Sequence, residues 1–219
     1  PVDSYQPSHL EEYLHNPQHR ETEDDYFCAR VFNRGVEWLG NNAGNKPFFL
    51  WIDSFDPHEP WDPPKKYADK YYSDYDGKDF IIPSVAWQQV DEPRPEEIER
   101  GKALYYGEVS FVDKYFGKLL NKIDMMNLWN DTIVVVVSDH GTQVMDHGSF
   151  GKTPDNLRAY NTQINFMVNH PDISNKKEVN PIVQAHDIFS TIFNLVDIPV
   201  NSTGEDAWSL VTGEKDKIR

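Results

Sequence analysis

Five consecutive β-branched residues, Ile133 to Val137, are the feature that most constrains how this 219-residue chain can fold. Branching at Cβ restricts the side-chain rotamers in a helix and favours the pleated backbone of a strand. A run that is apolar at every position is typical of a strand buried on both faces. The sequence therefore predicts a sheet that is covered by other elements.

Helical and strand patterns alternate along the chain. We expect helices over 21–39, 95–126 and 181–196, where apolar residues recur at helical spacing, and further strands at 48–52 and 163–168. This alternation favours an α/β fold with a mostly parallel sheet flanked by helices. Aromatic residues, Asp and Pro mix without a clear period over 62–95, which predicts an irregular insertion. The length favours a single domain over residues 1–219.

Composition excludes some classes of function. The formal net charge of −15 would repel phosphate backbones, so we expect no nucleic-acid partner. No apolar run approaches the roughly 20 residues that span a bilayer, so we expect no membrane span. The first residues lack the order of a signal peptide, and the sequence assigns no compartment.

The loop Ser138-Asp139-His140-Gly141 directly follows the strand at 133–137. A carboxylate and an imidazole at a strand end can converge on one divalent cation, because a turn at Gly141 breaks the alternation that would point them apart. In parallel sheets, functional groups gather beyond the carboxyl ends of the strands. Alone, however, this dipeptide is more typical of an Asp that caps a turn beside a solvent-facing histidine.

Two other loops carry chemically useful side chains. In Asp56-Pro57-His58-Glu59-Pro60-Trp61, prolines on both sides restrict the backbone, and an imidazole held in one direction suits a general acid. A structural histidine in a proline-rich turn is equally consistent with this loop. The segment Gly148 to Lys152 ends in a cation that could hold an anionic oxygen, although a surface lysine is the more usual case.

Taken together and in this order, these segments resemble the sulfatase family of the alkaline-phosphatase superfamily. The loop 56–61 is similar to the family's Pro-His-x-Pro loop, and 133–141 to its apolar strand that ends in Ser-Asp-His-Gly. The segment 148–152 is similar to the stretch that ends in the substrate-binding lysine. Residues 187–191 resemble its Asp-x-x-Pro-Thr segment, with Ser190 in place of the proline. The likeness spans about 46–213.

The resemblance implies a metal-dependent hydrolase of sulfate esters. Asp139 and His140 would bind a divalent ion, usually calcium in this family, while manganese or zinc also suits an imidazole ligand. Lys152 would bind the sulfate, and His58 would contact and protonate the leaving alcohol. His147 would support the site without touching the metal, or serve a structural role. The substrate would be a small sulfate ester or a carbohydrate sulfate.

One feature of the family is not found in this sequence. The family's nucleophile is a formylglycine made within Cys/Ser-x-Pro/Ala-x-Arg, and no such motif occurs here. Cys28, the only cysteine, lies in a helix pattern that makes it a core residue. We therefore expect this chain to be part of an enzyme and to be inactive by itself.

Two other functions stay open. A phosphodiester or phosphonate monoester hydrolase, or a phosphoryl transferase, of the same superfamily would share the Asp-His pair. The second is a non-catalytic acidic module that binds a partner through exposed aromatic residues, namely Tyr71, Tyr72, Tyr75 and Trp87.

Overall fold

The computed structural model describes residues 13–83, 93–152 and 157–219. The chain divides into two compact units, one of Pro1–Leu128 with Gln143–Gly151 and the other of Trp129–Thr142 with Lys152–Arg219. The helices are α1 (Phe27–Asn42), α2 (Lys65–Ala68), α3 (Pro95–Met125), α4 (Ala159–Thr162), α5 (Ala185–Leu195) and α6 (Trp208–Thr212). Short 3-10 turns lie at Asn16–His19, Glu23–Asp25 and Leu128–Asn130. The strands are β1 (Val134–Val137), β2 (Gln143–Val144), β3 (Phe150–Gly151) and β4 (Phe166–Asn169).

The first unit is built around α3. This helix begins with Pro95, and the Glu97 carboxylate accepts the backbone N–H of Arg94 at 2.8 Å, which satisfies a donor at the helix start. It packs against α1 and α2, and its buried face recurs at helical spacing and includes Leu104, Phe111, Tyr115, Leu119 and Ile123. The helix predicted over 95–126 is thus confirmed. Within the three described ranges, no helix combines the length and the apolar character that crossing a bilayer requires.

The segment 48–52, predicted to be a buried strand, is extended but is not a strand. Its side chains alternate, with Phe49 75% exposed and Trp51 67% exposed, whereas Ile52 packs against Gly35 of α1. A strand is defined by its ladder of hydrogen bonds, and among the described residues no backbone–backbone hydrogen bond involves 48–54. The prediction was wrong because an apolar run indicates that side chains can be buried but does not indicate which neighbouring strand would supply the backbone hydrogen bonds.

The insertion predicted at 62–95 is ordered and partly buried over its described part. Tyr67 and Ala68 of α2 are buried against α3, and Arg100 binds Asp79 at 2.7 Å and Asp69 at 2.9 Å. Charge-assisted bonds from one buried guanidinium therefore tie the insertion to α3. Of the aromatic residues expected to be exposed, Tyr71 is exposed and Tyr72 and Tyr75 are half-buried, while Trp87 lies outside the described residues.

The second unit contains an antiparallel pair, β1 with β4, in which Val134 lies opposite Asn169 and Val137 opposite Phe166. The strand predicted at 133–137 is confirmed, and that predicted at 163–168 starts at Phe166. In the described parts of the chain both strand pairs, β1–β4 and β2–β3, are antiparallel, so the mostly parallel sheet is not confirmed. A continuous apolar run predicts coverage of both faces but leaves the direction of the neighbouring strand open.

Candidate functional site

The turn after β1 holds Asp139 and His140 in a defined geometry. Asp139 Oδ1 accepts the backbone N–H of His140 at 2.8 Å, and His140 Nδ1 lies 2.8 Å from the carbonyl oxygen of Gly141. Because a carbonyl can only accept, Nδ1 carries the hydrogen and the neutral ring keeps its lone pair on Nε2. Nε2 lies 3.5 Å from Asp139 Oδ2. One nitrogen and one carboxylate oxygen thus lie close enough to share a cation.

Glycine is required at position 141 by close packing. A Cβ there would lie 1.9 Å from the carbonyl oxygen of Tyr160, and the Gly141 N–H donates to the carbonyl oxygen of Asn161 at 3.0 Å. On the other side of the turn, Ser138 Oγ accepts the backbone N–H of Asn165 at 2.9 Å. Backbone contacts therefore fix the turn, while the side chains of Asp139 and His140 remain 84% and 40% exposed.

The Asp139–His140 pair offers two ligands for a metal ion. Imidazole nitrogen and carboxylate oxygen together suit zinc or manganese, and the carboxylate alone suits calcium. Among the described residues no group of three or more His, Cys, Asp or Glu side chains could hold a metal ion. The pair therefore fits part of a coordination shell, and further ligands would be needed to complete it.

His58 is held by its own loop in the first unit. Its Nδ1 lies 2.6 Å from the carbonyl oxygen of Glu59 and 3.3 Å from Glu59 Oε2, and the ring stacks on Phe55 with centroids 4.3 Å apart. The Nδ1 hydrogen is committed to that carbonyl, which leaves Nε2 to gain or lose a proton. Such an imidazole can act as a general acid through Nε2.

Trp61 anchors the same loop. Its side chain has no exposed surface, packs on Tyr105 and Phe150, and donates from Nε1 to the carbonyl oxygen of Pro57 at 3.1 Å. This hydrogen bond joins residues on either side of His58 in the sequence. The buried indole therefore sets the conformation of the segment that presents the imidazole.

Both ends of the His58 loop finish in half-buried carboxylates that the sequence did not single out. Asp56 accepts the backbone N–H of Cys28 at 3.0 Å, and Asp62 accepts from Arg20 at 2.6 Å. Burial raises the pKa of both carboxyls. Behind them lies Glu108, 3% exposed on the buried face of α3. Its position one turn after Leu104 was the available signal, since a glutamate on an apolar stripe is unusual.

His147 lies in the turn of a short β-hairpin, and Lys152 directly follows its second strand. Strands β2 and β3 pair through Gln143 with Gly151, and Gly148 adopts a positive φ of 81° in the turn between them. His147 lies in this turn and is exposed. Lys152 follows Gly151 directly and is also exposed.

The predicted site residues belong to different units. His58 and His147 lie in the first, and Asp139, His140 and Lys152 in the second. Of the five, the structure brings Asp139 and His140 into contact. That all of them serve one centre stays a prediction.

Comparison with known proteins decides the family. The family model described as Sulfatase matches residues 3–198, which is most of the chain. The chain belongs to the sulfatase family. Among curated proteins, an arylsulfatase of Clostridium perfringens is 34% identical over 134 residues, which make up 56% of this chain and 28% of that protein. The sulfatase chain described here therefore spans little more than a quarter of that relative.

Solved structures support the fold. The phosphonate monoester hydrolase of Agrobacterium radiobacter superposes with a TM-score of 0.73 at 18% identity, covering 94% of this sulfatase chain and 50% of that one. A second structure, described as a complex with its substrate D-glucosamine-2-N, 6-O-disulfate, gives a TM-score of 0.66 at 16% identity and covers 89% and 53%. The chain thus has the fold shared by sulfatases and phosphonate monoester hydrolases.

Cys28 is a core residue of this sulfatase, as predicted. Its side chain is 1% exposed at the start of α1. Burial, followed by the charge of Asp56, raises the pKa of the thiol far above its usual range, so the thiolate is not formed at neutral pH. A buried thiol of this kind is inert as a nucleophile.

The side chains of the segment 187–191 bind backbone groups of neighbouring segments and so stabilise the fold of the second unit. Asp187 has no exposed surface and accepts the backbone N–H groups of Gln184 and Glu205, each at 2.8 Å, together with the guanidinium of Arg219. Burial opposes ionisation, but these donors outweigh it and lower the pKa of Asp187. Ser190, in place of the family's proline, donates to the carbonyl oxygen of Gly204 at 2.9 Å.

Proposed function

We propose that this sulfatase hydrolyses sulfate esters with the help of a divalent metal ion, and that this chain carries part of the active site. The observation that carries the proposal is the geometry at Asp139 and His140. One imidazole nitrogen and one carboxylate oxygen lie 3.5 Å apart, and backbone contacts hold the turn that presents them.

Each residue has a distinct role in the proposed reaction. Asp139 Oδ2 and His140 Nε2 would hold the metal ion, which supplies charge neutralisation at the ester oxygens when bound. The ammonium of Lys152 binds the sulfate and the negative charge that develops on the bridging oxygen. His58, with its Nδ1 hydrogen bonded to Glu59, donates the proton on Nε2 to the departing alcohol.

A sulfated carbohydrate is the substrate class that we favour. One structure with this fold is described as a complex with a disulfated glucosamine. In this chain the first unit exposes an aromatic pair, Tyr71 and Tyr106, with ring centroids 5.4 Å apart. Exposed aromatic faces are suited to stacking against the apolar face of a sugar ring.

Hydrolysis of phosphonate monoesters is the second candidate, because a phosphonate monoester hydrolase superposes with a TM-score of 0.73. The nucleophile separates the two. A Cys/Ser-x-Pro/Ala-x-Arg motif elsewhere in the coding sequence of the complete protein would support sulfate-ester hydrolysis. A threonine nucleophile at the corresponding place would support phosphoryl transfer.

Metal binding should depend on Asp139. We expect calcium, manganese or zinc ions to raise the melting temperature of the wild-type chain, because a ligand that binds the folded state stabilises it by about 2.7 kcal/mol at 100 times its Kd. Differential scanning fluorimetry measures this shift. Asp139→Ala should abolish it, while the control Asp172→Ala, which removes a carboxylate that is also mostly exposed, should keep it. An equal shift in Asp139→Ala, or none in the folded wild-type chain, contradicts the assignment.

A further inference from the structure

Three carboxyl groups at and behind the His58 loop outnumber the cations that contact them in the part of the chain that the structure describes. Glu108 interacts electrostatically with Asp56 and Asp62 and with the guanidinium of Arg20, whose side chain is 10% exposed. That guanidinium is bound to Asp62 at 2.6 Å. If all three carboxyls were ionised, the cluster would carry two uncompensated negative charges, which is costly inside a protein.

Asp56 and Asp62 have donors that favour their ionised forms. Asp56 accepts the backbone N–H of Cys28 in the first turn of α1, where the helix dipole also favours an anion. Asp62 accepts from Arg20 and, at 2.5 Å, from the hydroxyl of Tyr13. Both of these carboxyls can therefore carry a charge at moderate cost.

Glu108 has weaker support than Asp62 and is more deeply buried than either aspartate. It accepts one hydrogen bond from the backbone of Asp62, and its Oε2 is buried without a hydrogen-bond partner in the part of the chain that the structure describes. Burial, followed by repulsion from Asp56 and Asp62, raises the pKa of Glu108 well above its ordinary value. Of the three carboxyls, Glu108 is the one whose surroundings most favour the protonated form.

We infer that Glu108 is a positioning residue which, as a neutral carboxylic acid, ties the loop 56–62 to α3 and thereby fixes the imidazole of His58. The loop begins at Asp56 and ends at Asp62, and Glu108 interacts with the charges at both ends and with the backbone N–H of Asp62. Ionisation of Glu108 would push two like charges away from α3, one on each side of His58. The inference rests on the proposed function in one respect, which is that the reaction uses His58 as its general acid.

The groups that face Glu108 determine how it responds to pH. Those with a charge or a titratable proton come from the loop, the segment before α1 and the start of α1: Asp56, Asp62, Arg20, Tyr26 and Cys28. Arg20 stays charged throughout, and burial raises the pKa of Tyr26 and Cys28, so both remain neutral in the physiological range. The change in charge near neutral pH is therefore that of the carboxyls.

The sign of the pH effect follows from the raised pKa. The folded chain binds the Glu108 proton more tightly than the unfolded chain, so the contribution to stability is complete below the ordinary pKa of 4.5 and falls as pH rises toward the native pKa. Relative to Glu108→Gln, the wild-type unfolding equilibrium constant should rise up to about tenfold per pH unit in this window, or about 1.4 kcal/mol. Urea denaturation at several pH values measures it.

The matched control is Glu99→Gln, an exposed glutamate on the same helix. This variant should keep the wild-type slope. Parallel slopes for wild type and Glu108→Gln would overturn the inference. If Glu108→Gln does not fold, a carbon-13 NMR titration of the wild-type carboxyls takes its place. One glutamate that titrates well above the ordinary pKa of 4.5 is the expected result, and its absence would overturn the inference.

Positioning of His58 has its own readout, which needs no turnover. In the wild type, the ring resonances of His58 should show an inflection at the pH where Glu108 titrates, and Glu108→Gln should remove it. A Glu108 that only stabilises the core would shift the unfolding slope and leave the His58 ring unchanged, which would contradict the positioning role. Failure of ester hydrolysis would instead count against the proposed function. It would not affect the unfolding slope or the His58 titration, which test the role of Glu108 separately.

Discussion

Replacing Trp61 with alanine should lower the free energy of unfolding by about 3–5 kcal/mol, because removal of a fully buried indole forfeits its burial and leaves a cavity. The side chain packs with Ala68, Leu104 and Phe150 in one cluster, so several elements of the first unit lose contacts together. Loss of the bond from Nε1 to Pro57 should also release the loop that holds His58. Urea denaturation followed by circular dichroism gives the free energy.

Trp51 provides the matched control. It is the same residue type in the same unit, but it is 67% exposed. Trp51→Ala should change the free energy of unfolding by no more than about 0.5 kcal/mol, as is usual for surface sites. Similar losses for the two variants would mean that the assigned core of the first unit is wrong.

Replacing Gly141 with alanine should have the second large effect. A Cβ 1.9 Å from the carbonyl oxygen of Tyr160 cannot be accommodated, so the turn must move away from α4. Overpacking of this kind costs about 3 kcal/mol when backbone has to shift. The movement would also break the bond from Gly141 N–H to Asn161 and disturb the spacing of Asp139 and His140. We therefore expect both a lower melting temperature and loss of the metal-induced shift.

Gly117 is the control for that substitution. It lies within α3, and a Cβ there would meet no atom within 4 Å. Gly117→Ala should stabilise the chain by about 1 kcal/mol, because alanine is the better helix former. Calorimetry distinguishes the two variants. A Gly141→Ala chain as stable as the wild type, with an intact metal response, would contradict the observed packing of the turn.

Local patterns predicted the elements well because their causes are local. The β-branched run at 133–137 formed β1, and helical spacing over 95–126 formed α3. A change of direction after β1 was predicted from Gly141; the structure has a bend at Asp139, and Gly141 is needed for its close approach to Tyr160. The partner of a strand, by contrast, depends on residues far away in the sequence. The antiparallel pairing of β1 with β4 was therefore not predicted, and neither was the exposure of Phe49 within its apolar run.

Glu108 could have been noticed on the apolar face of α3, but its partners behind the His58 loop could not be predicted, for a similar reason. Asp56 and Glu108 are more than 50 positions apart, and no spacing rule relates them. Arg20, which neutralises Asp62, lies in yet another segment. The flanking prolines identified His58 in the sequence. The groups that hold its loop come from three distant segments and are brought together by the fold.

Sulfate release by the complete enzyme that contains this chain tests the central claim most directly. With para-nitrophenyl sulfate, kcat/KM should exceed that for the corresponding phosphonate monoester. Lys152→Ala should lower it by about 100-fold or more, as expected when a group that stabilises charge in the transition state is removed. The control Lys176→Ala, an exposed lysine in the second unit, should leave it unchanged. Faster turnover of the phosphonate monoester, or equal rates for wild type and Lys152→Ala, would contradict the assignment of this chain to sulfate-ester hydrolysis.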